Sequence, residues 1–176
     1  MNTNKTLLFM AVACIALAGC TKKNVKDDTA GSNSGTSGTT SANTTPIGTS
    51  TGGKYSPADL DTDSCLRQRV VYFDLDKDTL KPEFQAIVAC HAKYLMDRPQ
   101  ARMALEGSAD ERGSREYNRA LGERRGNAVM AAVQGGGASA SQMEVVSYGE
   151  ERPVCTESNE DCWSKNRRVE FVYSAK

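Results

Sequence analysis

The chain has 176 residues, 39% of them hydrophobic and 25% charged, and its 22 basic residues balance its 22 acidic residues. This length suits one domain with a tail, and the zero formal charge argues against a nucleic-acid-binding protein, which would carry a basic excess. The mean hydropathy of -0.52 excludes a polytopic membrane protein. The single histidine counts against a metal site built from several histidines.

The N-terminus has the pattern of a lipoprotein signal. Residues 7–17 form an unbroken apolar run, which is shorter than the ~20 residues of a membrane-spanning helix and typical of a signal peptide. The run ends in the letters LAGC at residues 17–20, which resemble the lipobox of bacterial lipoproteins. We predict that residues 1–19 are a signal peptide and that Cys20 is lipid-modified. An ordinary signal peptide with an incidental Cys20 is the alternative.

Residues 20–56 are predicted to be the lipidated N-terminus and a flexible linker. Within them, residues 29–53 are almost entirely Gly, Ser, Thr and Asn, a composition that buries too little apolar surface to offset the entropy lost on ordering. The remaining residues, 57–176, are enough to form one hydrophobic core. We therefore predict one folded domain on a tether.

The predicted elements of this domain follow the order strand, helix, strand, helix, strand, strand. Alternating or β-branched residues mark the strands, and apolar residues at helical spacing mark the helices. The strands are predicted at residues 69–74, 102–107, 144–148 and 169–173, and the helices run from Pro82 to the stop at Pro99 and from the N-cap Ser114 to the glycines at 135–137. This order predicts a two-layer α/β sandwich, with the helices on one side of the sheet.

The second predicted helix and the loop before it are highly charged. Five arginines and four acidic residues lie between Asp110 and Arg125, and a solvated face with ion pairs is the default explanation. The residues predicted to face inward are Tyr117, Ala120, Leu121, Ala128, Val129 and Ala132.

Three residues of this helix lie on one face, because Asn118 and Arg125 are two turns apart and Gly122 is between them. A glycine inside a helix costs about 1 kcal/mol relative to alanine. We expect a close approach to compensate for Gly122, either by a ligand or another backbone, or by packing against a neighbouring strand.

Two charges could define a binding site. Asp110 lies in the loop before the second helix and faces the same end of the sheet as Asp74. Asp110 and Arg125 form either a plain salt bridge or the two poles of a site for a zwitterion, with the carboxylate binding an ammonium and the guanidinium a carboxylate. By alternation, Arg167 shares the core face of the last strand, where it needs a carboxylate partner, unless it reaches solvent from a frayed strand end.

Four segments resemble a known family. They read VYFDLDKDTLKPEFQ, GSADERGSREYNRALGERRGNAV, VVSYGEERP and KNRRVEFVY. In this order, over about residues 66–174, they resemble the peptidoglycan-associated lipoprotein family. The resemblance implies an OmpA-like C-terminal domain with the element order βαβαββ and helices on one face of a mixed four-stranded sheet.

The resemblance also implies a binding site, because the family binds peptidoglycan non-covalently through the diaminopimelate of the stem peptide. Asp110 would take the amino group of that residue and Arg125 its carboxylate. The other implied peptidoglycan-binding residues are Asp74 and Asn118, which would line the pocket, Arg167, which would close it, and Leu75 and Ala109, which would contribute mainly backbone groups. One departure is Ser108, since the family usually has His before Ala-Asp.

The family also implies partners and a location. It works within the Tol–Pal system, where TolB binds the same domain and competes with the cell wall, in support of division and envelope integrity. Thr21 follows Cys20, whereas an Asp there often signals retention in the inner membrane. The resemblance therefore implies an outer-membrane anchor, with the domain in the periplasm. No cofactor is implied.

The cysteines that remain after removal of the signal and lipidation of Cys20 are Cys65, Cys90, Cys155 and Cys162. An even number in an oxidising periplasm indicates disulfides, and four cysteines allow three pairings. The short loop favours a bond between Cys155 and Cys162, and Cys65 and Cys90 could then pair. A zinc site from Cys90, His91, Cys155 and Cys162 is the alternative, although its spacing fits no usual finger or ribbon. His91 lies on an apolar stripe, which favours a structural role.

Two other functions compete with wall binding. An enzyme acting on the wall is disfavoured for two reasons. The single histidine and the lack of a zinc-type ligand set in this sequence count against an amidase. Arginines beside Asp74 and Asp110 would keep both carboxylates ionised, whereas a glycosidase needs one of them protonated. The other competitor is an OmpA-like surface lipoprotein with an unrelated protein partner. We therefore predict a binding protein without catalytic residues and without a metal.

Overall fold

The computed structural model describes residues 53–176, so the predicted signal peptide, Cys20 and most of the linker lie outside the described residues. The helices are α1 (Asp59–Thr62), α2 (Gln85–Asp97), α3 (Arg115–Gly135) and α4 (Glu160–Asn166), and the strands are β1 (Val70–Tyr72), β2 (Arg102–Ser108), β3 (Met143–Gly149) and β4 (Arg168–Ala175). Single turns of 3-10 helix at Pro82–Phe84 and Ala140–Gln142 precede α2 and β3. Within residues 53–176, no helix is both long and apolar enough to span a membrane.

The four strands form one mixed sheet in the order β1-β4-β2-β3. β4 is antiparallel to both of its neighbours, and β2 and β3 are parallel. The β2–α3–β3 segment is therefore a crossover unit, as parallel neighbours require. The predicted two-layer α/β architecture is confirmed.

The core lies between this sheet and the two long helices. Met103 and Leu105 of β2 and Val169 and Phe171 of β4 point to the same side, because side chains alternate along a strand. They pack against apolar residues of the helices, namely Ile87, Val88 and Leu95 of α2 and Val129 and Val133 of α3. Tyr55 also belongs to this core and its ring contacts that of Tyr94. Tyr55, two residues before the predicted start of the domain, therefore packs in the core.

The predicted direct passage from the third to the fourth strand is wrong, since α4 lies between them. The side chain of Asn159 caps this helix by accepting a hydrogen bond from the Cys162 N–H at 3.0 Å. At the other end, the Asn166 amide accepts from the N–H groups of Val154 and Cys155 and donates to the Cys155 carbonyl. A helix of seven residues is too short to leave a clear period in the sequence.

Residues 53–176 contain two disulfides, and both are pairings that the sequence predicted. Cys65 is bonded to Cys90, which links the segment before β1 to α2. Cys155 is bonded to Cys162, which fastens the loop after β3 to α4. Their sulfurs are therefore not thiolates that could bind zinc.

Gly107 of β2 and Gly122 of α3 let the helix lie directly on the sheet. A Cβ atom at Gly107 would lie 2.0 Å from the Gly122 carbonyl oxygen, and one at Gly122 would lie 2.5 Å from the Ser147 hydroxyl of β3. Both glycines are thus required by packing of helix against strand. Of the explanations offered for Gly122, strand packing fits and a ligand is not needed.

His91 is buried in the core and both ring nitrogens are hydrogen-bonded. The Gln68 carbonyl can only accept, so Nε2 donates to it at 3.0 Å and Nδ1 accepts from the Tyr173 hydroxyl at 2.9 Å. The ring stacks on Phe171 with centroids 4.4 Å apart. Burial lowers the pKa of His91 to about 4, and the nearby Arg69 adds to the effect. His91 is therefore a neutral structural residue in the folded protein.

We predict that Gly107→Ala lowers the free energy of unfolding by about 3 kcal/mol, because the new methyl group overlaps backbone atoms of α3 that cannot rotate away. Gly135→Ala is the matched control, since no atom lies within 4 Å of its added Cβ. It should be neutral or stabilising by up to about 1 kcal/mol. Urea unfolding measures both variants, and a similar effect of the two substitutions would contradict the packing argument.

We also predict a pH dependence that originates in His91. The folded state keeps a pKa of about 4 and the unfolded chain 6.5, so the stabilisation is complete above pH 6.5 and is lost as the pH falls toward 4. Between pH 7.5 and 5.0 this loss amounts to about 2 kcal/mol. His91→Gln cannot titrate, so the difference in unfolding free energy between wild type and variant should shrink by that amount. An unchanged difference would refute the assignment.

Candidate functional site

A cavity of about 310 Å³ opens at the edge of the sheet where β1 and β2 end and α3 begins. The loops after both strands and the first turns of α3 form most of its wall, and the residue after α4 completes it. It is lined by Leu75, Asp76, Asp110, Arg112, Gly113, Tyr117, Asn118, Leu121, Arg125 and Arg167.

The loop between β2 and α3 shapes one side of the cavity. Gly113 has a φ of 117°, which L side chains rarely adopt, and it turns the chain into the helix. The Ser114 hydroxyl then caps α3 by accepting from the Tyr117 N–H at 3.2 Å. From this start, α3 presents Asn118, Leu121 and Arg125 to the cavity at successive turns.

Arg125 forms the floor of the cavity and is completely buried. Its guanidinium donates three hydrogen bonds, all to backbone carbonyls: Nε to Lys77 at 2.8 Å, Nη1 to Ser108 at 2.9 Å and Nη2 to Asp74 at 3.1 Å. Its charged group also lies 5.3 Å from the centre of the Phe73 ring. Arg125 thus joins the loop after β1 to the end of β2.

The charge of Arg125 has no direct counter-ion among residues 53–176, since all of its hydrogen bonds go to carbonyls. Burial lowers the pKa of Arg125 to about 10, repulsion by Arg167 adds to this, and Asp110 opposes it at longer range. The side chain therefore stays protonated at neutral pH, but its positive charge lacks a carboxylate in contact. A buried charge in this state favours binding of an anion.

Asp110 is also buried, but its carboxylate is fully hydrogen-bonded. Oδ1 accepts from the backbone N–H of Arg112 at 3.1 Å and from its Nε at 3.2 Å. Oδ2 accepts from Nη2 of Arg112 at 2.7 Å and from Nη1 of Arg167 at 3.1 Å. Burial alone would raise the pKa of Asp110, but these arginine contacts more than offset it and hold the pKa below its ordinary value. Asp110 is therefore a carboxylate at neutral pH.

Glu160, the first residue of α4, closes a ring of four charges that we call the charge ring: Asp110, Arg112, Glu160 and Arg167. Arg167 donates to Glu160, Asp110 and the Phe73 carbonyl. Arg112 lies 3.5 Å from Glu160 through Nη2. Arg167 therefore has the carboxylate partners that its burial requires. Glu160 was missed in the sequence because α4 itself was missed.

The OmpA family model matches residues 72–167 of the chain. The peptidoglycan-associated lipoprotein of Haemophilus influenzae is 38% identical over 173 residues, covering 98% of this chain and 100% of that protein. Its counterpart from Pseudomonas putida is 41% identical over 163 residues, with 92% of each chain covered. The chain belongs to the peptidoglycan-associated lipoprotein family.

A solved structure of the same family agrees with this assignment. The peptidoglycan-associated lipoprotein from Burkholderia pseudomallei superimposes with a TM-score of 0.64 and 42% sequence identity, over 66% of this chain and 98% of that chain. The MotB C-terminal domain of Helicobacter pylori, at 20% identity and a TM-score of 0.56, shares the fold. The fold of the peptidoglycan-associated lipoprotein family is thus present.

Five of the seven predicted site residues line the cavity, namely Leu75, Asp110, Asn118, Arg125 and Arg167. Asn118 is held by a hydrogen bond from its amide nitrogen to Glu150 at 2.6 Å. Leu75 presents a half-exposed side chain at the rim, not only its backbone. A salt bridge between Asp110 and Arg125 is not formed, because Asp110 is bound by other arginines.

The other two predicted residues do not line this cavity. The Asp74 carbonyl accepts from Arg125, but its carboxylate lies 3.4 Å from Lys81 and the residue lines a neighbouring cavity. The N–H of Ala109 donates to the Gly149 carbonyl, and Ala109 lines a third cavity. Asp74 therefore contributes through its backbone, and Ala109 positions the end of β2 against the end of β3.

Two details of the sequence interpretation change in the structure. Tyr117 and Ala120 are exposed, so the prediction that they face inward is wrong. The buried stripe of α3 instead includes Asn118 and Arg125, because the polar cavity lies under the first half of the helix. Ser108, at the position where the family usually has His, contacts Arg125 through its carbonyl, which any residue would supply.

We predict that Asp110→Asn lowers the free energy of unfolding at pH 7 by about 3 kcal/mol, because the buried Arg167 loses a charged partner. The same charge change at Glu123→Gln, on the exposed surface of α3, should cost less than about 0.5 kcal/mol. Because the folded state lowers the pKa of Asp110, its stabilisation is fully present above the unfolded pKa and is lost as the pH falls from there through the folded-state pKa. The two unfolding curves for wild type and Asp110→Asn should therefore converge in acid.

Proposed function

We propose that this protein is an outer-membrane lipoprotein that binds peptidoglycan non-covalently through the diaminopimelate of the stem peptide. The relatives named above are peptidoglycan-associated lipoproteins. The proposal for this chain depends on the chemistry of its own cavity, together with membership of their family.

The observation that carries the proposal is the buried Arg125, whose guanidinium contacts carbonyls but no carboxylate. A ligand carboxylate at the cavity floor would supply the missing negative charge, and charge-assisted hydrogen bonds to a guanidinium are among the strong ones. Three N–H groups of Arg125 already point at carbonyls, which fixes the orientation of the others. The site is therefore preorganised for an anion.

A second charged group lines the cavity together with Arg125. Asp110 is ionised and lines the same cavity, so its negative charge attracts an ammonium group. The free end of a diaminopimelate side chain carries one amino and one carboxyl group on a single carbon, so it matches a site with one acceptor and one cation. Asn118 and Leu75 supply an amide and an apolar contact for the rest of the side chain.

The same electrostatics argue for binding rather than hydrolysis. A glycosidase needs one carboxylic acid that remains protonated near neutral pH, whereas the pKa of Asp110 is held below its ordinary value. We therefore assign the cavity to recognition, without a catalytic residue.

The N-terminal sequence adds the membrane connection to this proposal. Lipidation at Cys20 would anchor the chain, and Thr21 favours the outer membrane. If the predicted linker of about 30 residues is a flexible coil, it would have a root-mean-square span of roughly 30 Å and reach on the order of 100 Å when extended. The domain could then bind wall at a distance from the membrane. Within the Tol–Pal system, TolB would compete with the wall for the domain, in support of division and envelope integrity.

A sedimentation assay with purified diaminopimelate-type sacculi tests the binding site. The mature chain without its lipid should pellet with sacculi, and Arg125→Gln should remain in the supernatant, because loss of one desolvated charge costs about 2–5 kcal/mol of binding. Arg125→Lys keeps the charge but not the fork, so it should bind weakly while remaining folded.

Arg124→Gln is the matched control, since the neighbouring Arg124 is half exposed and pairs with Asp78 outside the cavity wall. Circular dichroism is used to check that each variant is folded. Equal sedimentation of Arg125 and Arg124 variants would place binding elsewhere on the domain. If the wild type itself stays in solution, the partner is another protein and the proposal fails.

A further inference from the structure

Asp110 cannot accept a ligand ammonium in the arrangement described above, because its acceptor sites are filled. A carboxylate has about four lone-pair sites, and Asp110 receives four hydrogen bonds, three from Arg112 and one from Arg167. An ammonium that binds Asp110 must therefore replace one of these donors.

Arg167 is fixed in place. Its side chain is 6% exposed, and besides Asp110 it donates to the Phe73 carbonyl and to Glu160. The side chain of Arg112 is 33% exposed and lies at the cavity wall. Arg112 is therefore the donor that a ligand can displace.

Arg112 has other partners within reach after it leaves Asp110. Its guanidinium lies 4.1 Å from the centre of the Trp163 ring, and its Nη2 lies 3.5 Å from Glu160. The Arg112 backbone N–H would still donate to Asp110, so the loop between β2 and α3 keeps its shape. Displacement thus breaks only the two side-chain hydrogen bonds from Arg112 to Asp110, and the backbone of the loop stays in place.

The charges of the site agree with this exchange. Asp110, Glu160, Arg125 and Arg167 sum to zero, so the zwitterionic end of a ligand adds no net charge once Arg112 has moved outward. A ligand with a carboxylate alone would contact Arg125 but could not replace the cation at Asp110.

We infer that Arg112 is an internal competitor that occupies Asp110 in place of a ligand ammonium, and that its displacement selects ligands in which a carboxylate is accompanied by an amine. The inference rests on the proposed function and assigns a specificity-determining role to a residue outside the predicted site. When such a ligand enters, the Arg112 side chain leaves Asp110 and keeps Trp163 and Glu160 as its partners.

Arg112→Gln tests the competition directly. The mature chain without its lipid is titrated by calorimetry with the tripeptide L-alanyl-γ-D-glutamyl-meso-diaminopimelate. Removal of the competing cation should lower the Kd about two- to fivefold, which is the contribution of a partly exposed ion pair. Arg112→Lys, which keeps a charge but not the two-point contact, should lie between wild type and Arg112→Gln.

Arg115→Gln is the matched control, because Arg115, the first residue of α3, carries the same charge and pairs with Glu151 outside the cavity wall. Its Kd should equal that of the wild type. A tripeptide in which L-lysine replaces diaminopimelate keeps the amine but lacks the side-chain carboxylate, so it should bind all four proteins weakly.

Trp163 provides a readout that does not depend on affinity, since it is the single tryptophan of the chain. Ligand binding to the wild type should change its fluorescence as the stacked guanidinium moves, and the change should be absent in Arg112→Gln at saturation. If wild type binds and Arg112→Gln binds equally or more weakly, or if both give the same fluorescence change, the inference is overturned. If none of the proteins binds the tripeptide, the proposed function fails instead.

Discussion

The buried guanidinium of Arg125 is the interaction on which the arrangement of the site depends. It ties the carbonyls of Asp74, Lys77 and Ser108 into one cluster, so the loop after β1 and the end of β2 keep a fixed separation. Neutral carbonyls orient the guanidinium but leave its charge uncompensated. The contacts that hold the two loops together at this edge therefore also leave a buried positive charge that favours binding of an anion.

The charge ring compensates the buried positive charge of Arg167 at the mouth of the cavity. Arg167 must be buried to close the core at the start of β4, and burial of a cation requires acids close to it. Asp110 and Glu160 meet that need from two separate elements, and Arg112 balances the second acid. Glu160 is the first residue of α4, and Arg167 follows its last residue. The position of this short helix therefore determines the electrostatics of the site.

The long helices and the charged residues of the site could be predicted from the sequence. Regular apolar spacing located α2 and α3, and a seven-residue separation placed Asn118 and Arg125 on one face. The sequence was insufficient for α4, which is held by the Asn159 cap, the Asn166 amide and a disulfide rather than by its own period. It also could not distinguish the backbone role of Asp74 from a side-chain role, nor show that Arg112 occupies Asp110, because rotamers and loop closure decide both.

The bond between Cys65 and Cys90 has a mechanical consequence. The N-terminal segment joins the domain near Tyr55, which contacts the last turn of α2 through Asp97, whereas the cavity lies at the opposite end of the strands. Tension between a membrane anchor and a partner in the cavity would thus run along the strands and load their hydrogen bonds in shear. Detachment of residues 53–64 would stop at the covalent link to α2, so force bypasses the short strand β1 instead of peeling it from the sheet.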